Sequence, residues 1–126
     1  MFDLSEQGLI APKAYVNGEW IGADSGATFA VTNPSTGEEI AQVADCGVAE
    51  TRRAIDAAKA AQPAWAAKTA KERSQILRRW FDLMMAHQDD LGRLLTAEQG
   101  KPLAEAKGEI AYGASFIEWF AEEGRR

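Results

Sequence analysis

Cys46, the only cysteine of the 126-residue chain, is the first candidate for nucleophilic chemistry. It precedes Gly47 and a predicted helix, and the dipole of a helix N-terminus can stabilise a thiolate. A thiol nucleophile also needs a base, and the sequence places no histidine near Cys46. We therefore interpret Cys46 as a small hydrophobic side chain. One cysteine also excludes an internal disulfide and fits a reducing compartment.

The other titratable residues lack the partners that catalysis or metal binding needs. The only histidine, His87, follows Leu83 and Met84 on an apolar stripe, which favours a buried or boundary histidine. No cysteine or carboxylate stands at zinc-ligand spacing from it. The acidic pairs Asp89-Asp90 and Glu122-Glu123 are adjacent in sequence, and adjacent residues on a helix do not face each other. We interpret these pairs as solvated faces or helix starts.

Phosphate-binding loops are missing from the sequence, which contains neither GxGxxG nor GxxxxGK(S/T). The segment Gly100-Lys101-Pro102 precedes a predicted helix, where free N–H groups favour anions. The favoured interpretation is a tight turn between two helices, with Lys101 in solvent. The residues alone therefore identify no catalytic and no cofactor-binding position.

Composition is that of an ordinary globular protein, with 46% hydrophobic and 26% charged residues. The net charge of -5 argues against nucleic acid and acidic membranes as partners, because both need a basic patch. The first residues lack the features of a signal peptide, and no apolar run approaches the ~18 residues of a membrane span. We expect a soluble, cytoplasmic protein with no nucleic-acid and no membrane partner.

The N-terminal part predicts a short hairpin after an irregular segment. Residues 1–12 show no periodicity and are predicted to form a flexible N-terminus. Residues 14–21 predict two short strands, because Asn17-Gly18 supplies the positive φ angles of a two-residue turn.

Two further strands are predicted over residues 28–32 and 39–44. The turn between them spans residues 33–37, where Pro34 fixes φ and Gly37 permits the left-handed conformation.

Helical periodicity begins near Val48 and is expected to stop at Pro63. Thr69 and Glu72 form a predicted capping box for the next helix. An apolar stripe then follows at Ile76, Trp80, Leu83, Met84, His87, Leu91, Leu94 and Leu95. This stripe predicts either one bent helix or two helices broken near residues 87–89.

The last predicted helix has Pro102 in its first turn and Gly124 at its C-terminal cap. One apolar stripe consists of Leu103, Ala106, Ile110, Gly113, Ile117 and Phe120. A second stripe, the aromatic face, consists of Tyr112, Phe116 and Trp119. A helix that is apolar on two faces is buried on more than one side or faces a partner. The chain alone should therefore expose an apolar patch larger than the ~300–600 Å² usual for monomers.

Four motifs, in this order and spacing, resemble the start of an aldehyde dehydrogenase. They are Tyr15 to Trp20 (YVNGEW), Asn33 to Glu38 (NPSTGE), Glu98 to Pro102 (EQGKP) and Ser115 to Phe120 (SFIEWF). The segment 70–126 is especially similar to the succinate-semialdehyde branch of that family. The resemblance implies an α/β, aldehyde dehydrogenase-like fold for the complete protein. Residues 13–126 would be an incomplete N-terminal part of its coenzyme-binding domain, with a hairpin and strands followed by three to four amphipathic helices.

The resemblance also implies an activity for the complete protein. In the family, a cysteine thiolate attacks the aldehyde, hydride passes to NAD or NADP, and water releases the acid. In the succinate-semialdehyde branch the product is succinate, formed in 4-aminobutyrate degradation. The family's catalytic residues have no counterpart in this segment, so it should be inactive and bind no cofactor by itself. The implied partners are the rest of its own chain, an aldehyde substrate and further copies in a homodimer or homotetramer.

One site implied by the resemblance falls within this chain. Many family members hold a monovalent cation with backbone carbonyls beside the Asn-Pro turn and an acidic residue before Gly-Lys-Pro. The matching positions are Val31, Thr32 and Glu98, whose oxygen atoms would suit Na⁺ or K⁺. The alternative is that Glu98 only faces solvent at a helix end.

Two other interpretations stay open. The chain could be a non-catalytic helical module that binds a partner helix through the aromatic face. It could also be a fragment of another aldehyde dehydrogenase. A reading frame that continues into a dinucleotide-binding sequence would favour an enzyme, and a stable partner complex would favour the module.

Overall fold

The computed structural model describes residues 3–126, in which short strands are followed by four α-helices. The elements are a 3-10 helix at Gln7–Leu9, β1 at Ala14–Val16, β2 at Glu19–Ile21, β3 at Thr28–Thr32, β4 at Glu39–Ala44, α1 at Val48–Ala67, α2 at Ala70–Ala86, α3 at Gln88–Gln99 and α4 at Leu103–Glu123. The predicted fold class and order of elements are confirmed.

The first hairpin joins β1 to β2 through the predicted turn. Asn17 and Gly18 have φ angles of 52° and 85°, as a tight two-residue turn requires. Tyr15 and Trp20 are paired across the strands, and their ring centroids lie 5.0 Å apart. The predicted hairpin is therefore confirmed in position and in turn chemistry.

The second hairpin, β3–β4, forms a separate two-stranded antiparallel sheet. Its connecting turn is closed by the hydrogen bond from Gly37 N to Asn33 O and by Asn33 Oδ1, which accepts from Ser35 N. Gly37 has a φ of 74°, so the predicted left-handed position is confirmed.

Helix α1 runs through Pro63 and ends at Ala67, so the predicted stop at Pro63 is wrong. A proline inside a helix removes one backbone hydrogen bond and leaves a carbonyl one turn earlier without its donor. Residues 58–69 are all exposed, and water can therefore solvate that carbonyl. The cost of the proline is lower there than it would be in a packed helix.

A break at His87 separates α2 from α3, which confirms the second of the two predicted alternatives. The predicted capping box opens α2, where Glu72 N donates to Thr69 Oγ1 at 3.2 Å and Thr69 N donates to Glu72 Oε2 at 2.8 Å. The Thr69 hydroxyl also donates to Glu72 Oε2 at 2.7 Å. This hydrogen bond and the one from Thr69 N lower the pKa of the Glu72 carboxyl.

The α2 part of the predicted apolar stripe is not the packed face of that helix. Ile76, Trp80 and Leu83 are 47%, 55% and 50% exposed. The more buried face carries Ser74, Leu77, Phe81 and Met84. Helix α2 therefore has apolar side chains on two faces, and only one of them is covered within residues 3–126.

Helix α4 packs against α2 and α3 through its smallest side chains. Ala106, Ala114 and Ala121 are completely buried. Between α3 and α4 the approach is especially close, because a Cβ atom added at Gly92 would lie 2.8 Å from Lys107 Cγ and 3.3 Å from Lys107 N. Small residues thus set the distance between these helices.

Polar contacts hold the same three helices in register. Lys107 Nζ lies 2.7 Å from Asp89 Oδ1, and Gln88 Nε2 donates to Lys107 O at 2.9 Å. Arg78 of α2 donates to Glu118 of α4 at 2.8 Å.

The ends of α4 differ slightly from prediction. Pro102 is the N-cap residue, one position before the helix rather than in its first turn. Gly124 is the C-cap as predicted, but with a right-handed φ of -64°.

The described residues contain no large side chain that is fully buried. The buried apolar residues are Leu4, Ala97, Ala106, Ala114 and Ala121. By contrast, the aromatic face is open, since Tyr112, Phe116 and Trp119 are 67%, 49% and 61% exposed. A fold normally places its aromatic side chains inside, and within residues 3–126 these three are left uncovered.

We expect Gly92→Ala to destabilise the protein by about 1–2 kcal/mol, because overpacking against Lys107 outweighs the better helix propensity of alanine. Gly108→Ala is the matched control, since an added Cβ at Gly108 meets nothing within 4 Å. That variant should gain up to about 1 kcal/mol. Urea denaturation of both variants tests this, and a Gly92→Ala protein as stable as the parent would show that the helices can separate freely.

Candidate functional site

The predicted cation ligands lie where the second hairpin meets the end of α3. Val31 is in β3, Glu98 is in the last turn of α3, and both line one cavity of ≈ 50 Å³. The other walls are Ile10, Ala11, Pro12, Ile40, Ala41, Val43 and Leu94. Thr32 is exposed and is not part of the cavity wall. The structure therefore brings Val31 and Glu98 together and leaves Thr32 beside them.

The backbone at Val31 and Thr32 is irregular in a way that bears on cation binding. Val31 pairs with Ala41 and Thr32 with Glu39, so Ile40 is an extra residue opposite them. Such a bulge interrupts the strand ladder and leaves backbone groups outside its regular hydrogen bonds. Carbonyl and carboxylate oxygens suit hard cations, and a water-sized sphere needs only about 10–15 Å³. The structure thus places one carboxylate, that of the exposed Glu98, beside an otherwise apolar cavity, and the cation site stays a prediction.

Two of the motif turns meet next to this cavity. Gly100 ends α3 in the left-handed conformation with a φ of 81°. A Cβ atom at Gly100 would lie 3.1 Å from Pro34 Cγ, so the two turns touch. Glycine is required at this position both by the backbone angle and by the contact.

The Gly100-Lys101-Pro102 segment is the predicted tight turn between two helices. The expectation that Lys101 lies in solvent is wrong, because its side chain is only 23% exposed and its ammonium group pairs with Glu109. This ion pair links the turn to the second turn of α4.

The remaining candidates from the sequence lie apart from one another. Cys46 is half-buried just before α1, and His87 is half-buried at the α2–α3 junction, a boundary position as predicted. Glu122 is exposed and Glu123 pairs with Arg126 at 3.3 Å, which agrees with a solvated face. Across residues 3–126, no group of three or more His, Cys, Asp or Glu side chains is placed to hold a metal ion.

Asp90 has a role that the sequence interpretation missed. The pair Asp89-Asp90 does start a helix, but only Asp89 is solvated, and Asp90 is 6% exposed. Its carboxylate accepts from Ser5 N at 3.1 Å and from Glu6 N at 2.8 Å. These two N–H groups lower the pKa of the Asp90 carboxyl.

The contacts of Asp90 hold the N-terminal segment against α3. Leu4 is 3% exposed, and Pro12 O accepts from Ala44 N of β4 at 2.9 Å. The predicted flexibility of residues 1–12 stays a prediction, and Met1 and Phe2 lie outside the described residues. From Asp3 onwards the segment joins α3 to the second hairpin.

Glu50 repeats this arrangement at the start of α1. Its carboxylate accepts from Asp24 N at 2.6 Å and from Gly47 N at 3.0 Å, and the residue is 6% exposed. The N–H groups of Asp24, Glu50 itself and Gly47 lower the pKa of this carboxyl. Asp24 in turn accepts two hydrogen bonds from Arg53, which lower the pKa of the Asp24 carboxyl.

A sequence signal for both carboxylates existed. Glu50, Glu72 and Asp90 all occupy the third position of a helix, where a carboxylate reaches back to N–H groups before the helix. Only the role of Glu72 was predicted from this rule, because a threonine three residues earlier completes the familiar pattern there.

No helix formed by the described residues has both the length and the apolar character to cross a membrane.

Comparison with known proteins identifies a family for this chain. The model of the aldehyde dehydrogenase family matches residues 20–126. A glutarate-semialdehyde dehydrogenase of Pseudomonas putida is 67% identical over 98% of this chain and 26% of its own length. The NADP(+) succinate-semialdehyde dehydrogenase GabD of Escherichia coli is 62% identical over 98% of this chain and 26% of its own length.

A solved structure agrees in shape as well as in sequence. The succinate-semialdehyde dehydrogenase from Burkholderia pseudomallei matches with a TM-score of 0.96 and 62% identity, over 99% of this chain and 26% of that chain. The present chain thus spans about a quarter of the length of the curated relatives it matches.

We expect Asp90→Asn to free the N-terminal segment, since a neutral amide holds two backbone N–H groups less strongly than a carboxylate. Hydrogen exchange of the peptide containing Ser5 and Glu6, measured by mass spectrometry, should become faster. Asp89→Asn is the control, because Asp89 is exposed and pairs with Lys107 instead.

The same contact has a defined pH dependence. Because folding lowers the pKa of Asp90, its stabilisation is present above the unfolded value of about 3.9 and is lost as the pH falls through the folded value. After correction for intrinsic rates, protection should be constant from pH 7 to 5 and fall below about pH 4. Equal exchange rates in the Asp90→Asn variant and the parent would contradict the proposed role of Asp90 in holding the N-terminal segment.

Proposed function

The chain belongs to the aldehyde dehydrogenase family, and from this premise we propose that it is the N-terminal part of an NAD(P)⁺-dependent dehydrogenase for succinate semialdehyde. The observation that carries the proposal is the 62% identity to GabD across 98% of this chain. The complete protein would act in 4-aminobutyrate degradation, in the cytoplasm, as a homodimer or homotetramer.

A second substrate, glutarate semialdehyde, is favoured by the 67% identity to the Pseudomonas putida enzyme. The two named substrates share a chemical class, since each is a linear aldehyde with a carboxylate at the other end. We therefore propose this class, with succinate semialdehyde as its first member to test.

The role of the present residues in this proposal is structural. The sequence contains no glycine-rich dinucleotide motif, and its one cysteine, Cys46, has no histidine near it in sequence. The groups that bind NAD(P)⁺ and the substrate carboxylate, and the catalytic cysteine, would belong to the remaining three quarters of the protein. The lack of any fully buried large side chain within residues 3–126 supports a segment that is completed by further chain.

We also propose that Glu98 and the backbone carbonyls of Val31 and Thr32 help to bind a monovalent cation. The shared cavity of Val31 and Glu98, the strand irregularity opposite Ile40 and the contact between Pro34 and Gly100 support this site. A cation there would tie the second hairpin to the end of α3, which makes its role one of stability.

The complete protein should oxidise succinate or glutarate semialdehyde with a kcat/KM at least about 100-fold above that for betaine aldehyde. A site built for a carboxylate repels a cationic substrate by several kcal/mol, and each 1.4 kcal/mol is a factor of ten. Reduction of NAD⁺ and NADP⁺ at 340 nm measures all three rates.

A preference for betaine aldehyde would identify another branch of the family. An intact mass of the native gene product near 13.7 kDa, rather than several times larger, would contradict the proposed enzyme and favour the interaction module.

Glu98→Ala should remove the dependence of stability on potassium in the complete protein. A ligand that binds only the folded state raises its stability by RT ln(1 + [L]/Kd), so KCl should raise the melting temperature more than choline chloride at equal ionic strength. Glu105→Ala is the control, because this exposed carboxylate lies in the first turn of α4, away from the cavity. If KCl stabilises Glu98→Ala as much as the parent, the proposed cation site at Glu98 is wrong.

A further inference from the structure

A groove along the C-terminal half of α4, the aromatic groove, has a floor of Phe116, Trp119 and Phe120. Its volume is ≈ 860 Å³. Each of the three floor residues is about half exposed or more, at 49%, 61% and 60%. Exposed aromatic side chains of this size mark a surface that another element covers.

The opposite side of α4 is already fully used. Ala114 and Ala121 are completely buried against the neighbouring helices, while Phe116 and Trp119 project from the other side. A helix with small residues packed on one side and aromatic residues on the other lies between two layers. The aromatic groove is therefore one half of an interior contact.

The charges at the rim of the groove are already paired. Arg78 lies 2.8 Å from Glu118 and 4.0 Å from Glu122, and Arg126 lies 3.3 Å from Glu123. The three carboxylates Glu118, Glu122 and Glu123 and the two guanidinium groups of Arg78 and Arg126 leave the rim with a net charge of only -1. Net charge therefore selects an occupant only weakly. The groove fits an apolar segment.

We propose that the segment directly after Arg126 in the complete protein folds back antiparallel along α4 and fills the aromatic groove. The inference rests on the proposed function, in which relatives about four times as long supply the following chain. Arg126 itself lines the groove, so a short connection delivers that segment to it. Consecutive elements are usually neighbours in space, and a short covalent link gives a high effective concentration.

A second copy of the chain is the competing occupant. It would have to bring a protruding apolar element into the groove, and the exposed stripe of Ile76, Trp80 and Leu83 on α2 is one such element. Such a contact needs no residue beyond Arg126, which gives the test two distinguishable outcomes.

The test is photo-crosslinking in the complete protein with Phe116→benzoylphenylalanine. The expected product, after digestion and mass spectrometry, joins position 116 to the peptide that follows Arg126 within the same chain. Mixing isotope-labelled with unlabelled chains separates crosslinks within a chain from those between copies. Crosslinks between copies, or only to more distant parts of the same chain, would overturn the proposal.

A second measurement does not depend on crosslinking chemistry. Trp119→Gln should lower the urea midpoint of the complete protein more than Glu122→Gln at the groove rim, because only Trp119 would be buried by the returning segment. Equal midpoints would overturn the proposal. Turnover of succinate semialdehyde by the parent protein is assayed in parallel, so that loss of the proposed function and loss of this contact are told apart.

Discussion

The close contact of α4 with α2 and α3 is the constraint on which the rest of this structure depends. Alanines at positions 106, 114 and 121 and a glycine at position 92 let the helix backbones approach, and Lys107 fills the space beside Gly92. Close packing of small residues fixes geometry but buries little apolar area, and the hydrophobic gain scales with that area. The large side chains that would supply the gain are on the outer faces. The helices therefore form a layer whose large apolar side chains are left uncovered by residues 3–126.

Loops in such a layer cannot be held by a core, and here helix N-termini hold them. Glu50 fixes the loop at Asp24, and Asp90 fixes the segment at Ser5 and Glu6. Each carboxylate sits in the first turn of its helix, where the helix dipole also favours a negative charge. Charge-assisted hydrogen bonds to backbone N–H groups are roughly twice as strong as neutral ones. Glu50 and Asp90 thus hold two segments of the N-terminal third by hydrogen bonds to backbone N–H groups.

Local features of the fold were predictable from sequence because they depend on neighbouring residues only. The Asn17-Gly18 turn, the left-handed Gly37 and the Thr69–Glu72 capping box each need a few side chains and nothing distant. Pro63 was misjudged because a helix tolerates proline where water reaches the free carbonyl, and exposure is a tertiary property. Which of its two apolar faces α2 packs inward was ambiguous for a similar reason.

Helix α2 carries two apolar stripes, and only its contacts with α4 decide which is packed. Ile76, Trp80 and Leu83 form one, and Leu77, Phe81 and Met84 form the other.

At the candidate cation site, the family resemblance supplied Val31, Thr32 and Glu98, while periodicity contributed nothing. The strand irregularity at Ile40 and the contact of Gly100 with Pro34 join residues that are far apart in sequence, so no local pattern could reveal them. In the proposed enzyme, catalysis and coenzyme binding would lie outside these residues. The uncovered faces of α2 and α4 would then affect activity only through the stability of the folded protein. Substitutions on those faces would lower the amount of folded enzyme, and a lower amount reduces turnover of every substrate by the same factor.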